Sequence, residues 1–489
     1  MKRLICILMY LAGILGLFAC ESAEPAPIKH RVTLVCNDQT VEREFTEVLE
    51  EADLALPLEG LLSWAENPET KYRTISFPYR LEKDTTLYAV FEDEFDSYLP
   101  VMRISTKNVP INSKETYVDA RITLSNVPEE HELSTVKAGI RLRGNSTMGY
   151  AKKPYRLKFD EKQSLLGEPA HKSWVLLADY LDASLMKNYS ALYFAGQLNG
   201  MEFTPCAHHV ELYLNGKYQG VYLLCDQVQE QKNTRVPIEI KDLGQTQVPF
   251  LIEKNYRAER ESETEYDWFS LGDYQYTIKY PENLTQQQYD YIVDTYTRAE
   301  TAVIEHDWEY LLEHVDLNSL YAFYIVNELF FNRDAMWTSC FMYQSLTGKL
   351  KFGPVWDFDW SLNTPWINSP TVSTDTSTFA EPYFTDFKDE EQGWCWLMAL
   401  LEDDTRRSEF SERWKLARTA LEDTLEEIRA YRKALEPAAE RNLQLWYQAY
   451  EEGGKAGYES RYGSIFADQY EFLTEFLTLR SGYFDERFA

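Results

Sequence analysis

The second half of the chain carries two acidic segments. Asn332-Arg333-Asp334 closes an apolar, aromatic run over Leu320–Phe331, and Trp356-Asp357-Phe358-Asp359-Trp360 follows a hairpin-like stretch (Phe341-Met-Tyr, then Gly348-Lys-Leu-Lys-Phe). Two acids spaced this way suit phosphoryl transfer. One aspartate orients a hydroxyl nucleophile and accepts its proton, and a second, placed after a hairpin, holds magnesium on nucleotide phosphates. Carboxylates are the ligands to expect, because magnesium prefers hard oxygen donors and keeps several waters. Earlier in the chain, Arg141-Leu-Arg-Gly-Asn-Ser-Thr147 is followed by Lys152-Lys-Pro-Tyr-Arg-Leu-Lys158-Phe. A Gly-Asn-Ser-Thr turn flanked by basic strands offers N–H groups, hydroxyls and cations to an anion such as phosphate. Strand alternation puts Lys158 on one face with Arg156, opposite Leu157 and Phe159. A solvated basic hairpin would show the same residues, and Asp357 and Asp359 could equally cap a turn.

The elements that must position these groups read as follows. Alternating runs at Val101–Ser105, Val118–Leu124, Lys137–Arg143, Tyr155–Phe159, Trp174–Ala178, His209–Leu214 and Gly220–Cys225 predict strands, with Asn215-Gly216 as a hairpin turn. Apolar residues three and four apart predict helices over Ser184–Leu198, Gln286–His306, Leu317–Phe331, Phe410–Leu435 and Phe466–Arg480. The expected class is α+β: a β-rich half, then a helical half, two lobes with a cleft between them.

The chain has 489 residues, enough for two or three domains, and its 44% hydrophobic and 15% aromatic content describes a packed protein. A formal charge of −30 argues against tracking nucleic-acid backbones, which needs clustered Lys and Arg, but leaves room for a local basic pocket. Beyond the N-terminus no stretch approaches the length of a membrane span, so the remainder is expected to be soluble. Cys36, Cys206, Cys225, Cys340 and Cys395 are widely spaced and form no CxxC pair. Neither a zinc site nor a disulfide framework is indicated, and buried free thiols are expected, with a single Cys206–Cys225 bridge left open.

The N-terminus begins Lys2-Arg3 and runs uncharged and apolar from Leu4 to Ala19, the form of a secretory signal too short to span a bilayer comfortably. Its end, Leu17-Phe18-Ala19-Cys20, resembles the lipobox of bacterial lipoproteins, in which the cysteine is acylated; an ordinary cleaved signal with a chance cysteine is the alternative. The resemblance implies a signal over residues 1–19, a lipid-bearing Cys20 with a polar tether over 20–29, and a cell-envelope protein anchored by lipid, on the outer membrane and facing the periplasm or the surface. Residues 30–96 hold two alternating strands, Arg31–Cys36 and Asp84–Phe91, and an acidic linker from Glu92 to Asp96. "DTTLYAVF" and Trp64 resemble, in degenerate form, the small β-rich repeat module of bacterial surface proteins.

Five ordered blocks carry a stronger resemblance: "IRLRGNSTMGYAKKPYRLKFD", "KQSLLGEPAHKSWVLLADYLDASLMKN", "VELYLNGKYQGVYLLCDQV", "NELFFNRD" and "GPVWDFDW". With the closing "RSGYFDERF", they make residues 97–489 resemble the CotH family, named for a spore coat protein and regarded as atypical, protein-kinase-like phosphotransferases. The resemblance implies ATP and Mg2+ as cofactors, Asp334 as the catalytic acid, and Asp357 as the magnesium ligand with Asp359 assisting or structural. It makes Lys158 the candidate for pairing with the nucleotide phosphates, with Arg143 and Asn145 in the same pocket. Lys187 and Asn188 match a block that usually reads Arg-Asn and rank lower, because a structural role would explain that block as well. Met148 stands where relatives commonly have Trp, and Asp226 where they have Glu, which would shorten any ion pair made there. The function implied is transfer of the ATP γ-phosphate to a Ser or Thr of an exported or surface protein. The competing readings are a non-catalytic surface-binding or assembly protein on the same scaffold, and transfer to a non-protein acceptor such as a glycan.

Overall fold

Alternation along residues 101–226 gives strands with one apolar face, and those faces meet in a common interior. A computed structural model of the protein describes residues 29–36, 39–54, 56, 61–66, 68, 75, 77–91, 98–229, 235–238, 245–362, 396–446 and 465–488. The signal and tether with Cys20, the Glu92–Asp96 linker and Cys395 lie outside the described residues.

Strands β1 (His30–Cys36), β2 (Gln39–Phe45), β4 (Leu61–Ala65) and β6 (Thr85–Phe91) form a first sheet in the order β2-β1-β6-β4, with β3 (Val48–Leu49) and β5 (Tyr79–Arg80) paired separately. Val32, Leu34, Trp64, Leu87 and Ala89 form its own core.

The next seven strands are β7 (Val101–Ser105), β8 (Val118–Ser125), β9 (Leu133–Leu142), β10 (Tyr155–Gln163), β11 (His171–Leu177), β12 (Ala207–Leu214) and β13 (Lys217–Asp226). They close on themselves in the order β10-β11-β13-β12-β7-β8-β9. Ile104, Ile122, Ile140, Leu157, Phe159, Trp174, Leu212 and Leu224 fill the interior, as closure of so small a barrel requires. The turn between β12 and β13 is Asn215-Gly216, both at positive φ (51° and 77°), the conformation this dipeptide adopts readily.

Strands β11 and β13 are apolar on both faces. Val175, Leu177, Val221 and Leu223 point out of the barrel into a second, larger core. That core joins α1 (Lys187–Gly196) to a sheet of order β15-β16-β14-β17-β18, built from β14 (Phe250–Lys254), β15 (Trp268–Leu271), β16 (Tyr274–Tyr280), β17 (Cys340–Gln344) and β18 (Lys351–Phe352). Around it stand α2 (Ala258–Glu261), α3 (Gln286–Ile304), α4 (Trp308–His314), α5 (Leu317–Leu329), α6 (Trp396–Glu402), α7 (Asp404–Trp446) and α8 (Ile465–Phe488). Thr285 and Gln288 form a reciprocal capping box that starts α3.

The β-rich half followed by a helical half is as expected, with two differences. The seven strands close into a barrel, and the helical half encloses a sheet whose first three strands periodicity had not marked. Cys206 and Cys225 are free thiols. Among the described residues no helix is long and apolar enough to cross a membrane.

Candidate active site

A cavity of about 1410 Å³ is walled on one side by the outer surface of β9 and β10 and on the other by β14 and the loops after α5 and β18. Arg143, Asn145, Asp334, Asp357 and Asp359 all line it.

The acids are held by backbone geometry first. Helix α5 ends at a left-handed Phe331 (φ 48°), which redirects the chain into the Arg333–Met336 turn that presents Asp334. Behind the helix end, the Arg480 guanidinium of α8 donates to the Glu328 carbonyl at 3.0 Å and to its carboxylate at 2.8 Å, both side chains being fully buried. Asn332 is buried and ties the two acidic loops together. Its Nδ2 donates to Asn327 Oδ1 at 2.9 Å and to the Asp357 carbonyl at 3.3 Å. Asp357 itself is left-handed (φ 67°), a conformation aspartate tolerates better than most residues. Trp356 and Phe358 on either side are buried in the core, while Trp360 is half-buried at the cavity wall.

Asn188 at the start of α1 organises the second acid. Its Nδ2 donates to Asp359 Oδ1 at 2.7 Å and to Asp179 Oδ1 at 2.8 Å, and its Oδ1 accepts from the Phe358 N–H at 2.9 Å. Asn188, which the sequence ranks below the acids, fastens two of them to one helix end. Asp182 in turn accepts from the Lys187 and Ser184 N–H groups at 2.8 and 2.9 Å, setting the start of that helix.

The opposite wall is basic. Arg141 and Arg156 face each other across the β9–β10 pair, and Arg143 follows on the same chain. The Nε atoms of Arg141 and Arg156 are buried without a hydrogen-bond partner. Lys152 is almost wholly buried. Its ammonium donates to Asn442 Oδ1 of α7 at 2.8 Å and to the Val221 carbonyl, and lies 4.6 Å from the Tyr222 ring centroid.

Lys158 is a correction. It is exposed and absent from the cavity wall. Alternation puts it on the face of Arg156, but two residues of strand carry it about 7 Å further along, past the rim. There its ammonium lies 5.9 Å from the Tyr117 ring, which also covers Gly139, the residue opposite it on β9. Arg156 and Lys152 stand on the wall where Lys158 was expected. Asp226 is also off the cavity wall. It pairs with buried Arg235 at 3.3 Å and accepts from the Cys206 N–H at 3.0 Å, a structural role.

The electrostatics follow from enclosure. The acids keep some surface open to the cavity while surrounding protein displaces most bulk water, which disfavours their charged forms. Burial pushes the Asp334 carboxyl up to about 8, the Asp357 charge adding and Arg257 opposing. Burial also raises Asp357, against Arg143 and the Ser339 hydroxyl, and raises Asp359 further with help from Asp357 and Asp179. Asp179 rises to about 7, by burial and then Asp182, while Lys152 falls to about 7 by burial, against Asp179. Arg156 is lowered by burial and by its guanidinium neighbours Arg141 and Arg143.

The cavity charges offset one another only in part: Arg257 and Arg143 oppose the raised acids and Glu115 lies 3.9 Å from Arg141, which leaves the acidic side able to take a cation and the arginine cluster an anion. A magnesium–polyphosphate supplies both. The cavity acids do not form a closed cage, since among the described residues the three-ligand clusters that could hold an ion reduce to Glu168, Cys206 and His208, elsewhere. That suits magnesium, which is usually held by one or two carboxylates plus substrate phosphates. Lys152 and Arg156 belong to the basic run singled out in the sequence, whereas Asp179 carried no separate signal: it lies in a loop, where alternation gives no direction.

A family model described as CotH kinase protein matches residues 140–484. Among curated proteins, none matches the chain.

Proposed function

The chain belongs to the CotH kinase family, and from that membership we propose that it is an exported, lipid-anchored protein kinase transferring the ATP γ-phosphate to Ser or Thr hydroxyls of a surface or envelope protein. The observation that carries this reading is the pairing of an acidic wall with a basic wall across one cavity. We read the barrel and the helical body as the two lobes of a kinase-like cleft.

In this reading Arg141, Arg143 and Arg156 hold the phosphates, and the buried Nε donors of Arg141 and Arg156 gain partners when they do. Asp357 is the magnesium ligand, with Asp359 supporting it through Asn188. Bound there with ATP, magnesium would neutralise phosphate charge and hold the γ-phosphoryl group in line. Asp334 orients the acceptor hydroxyl and takes its proton. The acceptor oxygen bonds the γ-phosphorus as the bond to the departing ADP oxygen breaks. For Asp334 to accept a proton it must be ionised, and the positive charge bound near Asp357 favours that by cancelling the neighbour that raises it. The export signal and Cys20 support the address in the cell envelope.

The test is thermal melting with magnesium and ATP. The native protein is expected to gain stability and Asp357→Ala to gain none. With labelled ATP, Asp334→Asn is expected to lower phosphate transfer at least ~100-fold while still binding nucleotide. An unshifted melting temperature in the native protein would leave only the scaffold function, and undiminished transfer in Asp334→Asn would remove the role given to that residue.

A further inference from the structure

At one end of the barrel, outside the cavity lining, a carboxylate, a thiol and an imidazole converge. Glu168, Cys206 and His208 are each half-buried, and one ligand atom from each lies within 4.8 Å of the others. None of the three lines the cavity.

The fold explains how they meet. Cys206 leads directly into β12 and His208 follows two residues on, so both side chains share one face. It is the interior face, which Val210 and Leu212 continue into the barrel core. Glu168 comes from the turn between β10 and β11, 40 residues before His208, and its Oε1 lies 2.7 Å from His208 Nε2. Leu165 and Leu166 of that turn join the same core, so the turn folds over the barrel end and brings the carboxylate with it.

An ion pair accounts for Glu168 and His208. It does not account for a thiol within reach of both, on a backbone that is itself pinned: the Cys206 N–H donates to buried Asp226, which Arg235 holds in turn. The donor set is mixed sulfur, nitrogen and oxygen. Hard cations such as Mg2+ and Ca2+ select oxygen, whereas thiolate with imidazole selects zinc and its first-row neighbours. We propose that Glu168, Cys206 and His208 form a binding site for a transition-metal dication of the zinc class, a three-ligand site that staples the β10–β11 turn to the end of the barrel. Binding releases the Cys206 proton and stabilises the fold, since the three donors are together only in the folded chain.

The experiment uses the full-length chain, stripped with a chelator and titrated with Co2+, then Zn2+. A saturable thiolate-to-cobalt charge-transfer band is expected, bleached by Zn2+ and untouched by excess Mg2+. Cys206→Ser should lose the band, and His208→Gln and Glu168→Gln should each weaken binding by ~10-fold or more. Circular dichroism melting reports whether each variant folds. If Cys206→Ser does not fold, the affinities of the other two decide. The proposal is overturned by a native protein without the band, by a band that survives in folded Cys206→Ser, or by native affinity in both His208→Gln and Glu168→Gln.

Discussion

At the scale of single residues, chemistry and packing separate cleanly. Asp334, Asp357 and Asp359 were visible in the sequence because each sits in a short block whose aromatic neighbours bury one side and leave the acid. The structure brings them with Arg143 and Asn145 to one cavity and leaves Lys158 outside it. Alternation predicts which face of a strand a side chain takes, but not how far along that face a neighbouring body reaches. Cys206, His208 and Glu168 were illegible for a related reason: spacing rules find ligands close in sequence, and here a turn delivers the third. His209 carries a prediction of its own. Fully buried between the Leu185 carbonyl at 2.7 Å and the Tyr431 hydroxyl at 3.3 Å, it is pushed down to about 4 from 6.5, by burial first, with the His208 and Lys152 charges adding. Its folded value lies below its unfolded one, so the unfolded chain takes the proton first. The stability it contributes is complete above pH 6.5 and is lost as pH falls from there towards about 4, an expected ~3 kcal/mol. Urea unfolding across that range should show the loss, and His209→Gln should flatten it.

At the scale of elements, propensity and periodicity located most strands and helices, and the departures have physical causes. Helix α7 extends well beyond the predicted Phe410–Leu435, because Leu435, Ala438, Ala439 and Leu443 continue its apolar face into the core. What that extension accomplishes is clear at Asn442. Its Oδ1 accepts from the Val221 N–H at 3.1 Å as well as from Lys152, so a helix distant in sequence holds a lysine on the cavity wall. Gly220 makes room for it: its φ is 89°, and a Cβ there would run into the Asn442 side chain. Gly220→Ala is expected to cost about 3 kcal/mol, from the left-handed backbone plus a displaced hydrogen bond, in denaturant unfolding. It should also weaken nucleotide binding by releasing Lys152. Equal stability with native nucleotide affinity would argue that α7 packs there without positioning anything.

At the scale of the molecule, the class was legible and the closure was not. Alternating strands signal a sheet with one buried face, yet whether its ends meet depends on a long-range pairing, β12 beside β7 in parallel, that no local pattern encodes. The N-terminal sheet has its own core, which shares no residue with those of the barrel or the helical body. A chain beginning at residue 98 is therefore expected to fold and to retain the magnesium–ATP shift in melting temperature. Loss of that shift in a folded truncation would mean that the first sheet contributes to the site. The barrel has a further mechanical consequence. A sheet that closes on itself has no free edge and no strand at liberty to slide, so the wall bearing Arg141 and Arg156 is a rigid anvil. In the kinase reading, any opening that admits a nucleotide falls to the segments that are not barrel strand: the loops that carry Asp334 and Asp357, and the connection over residues 143–154 that faces them.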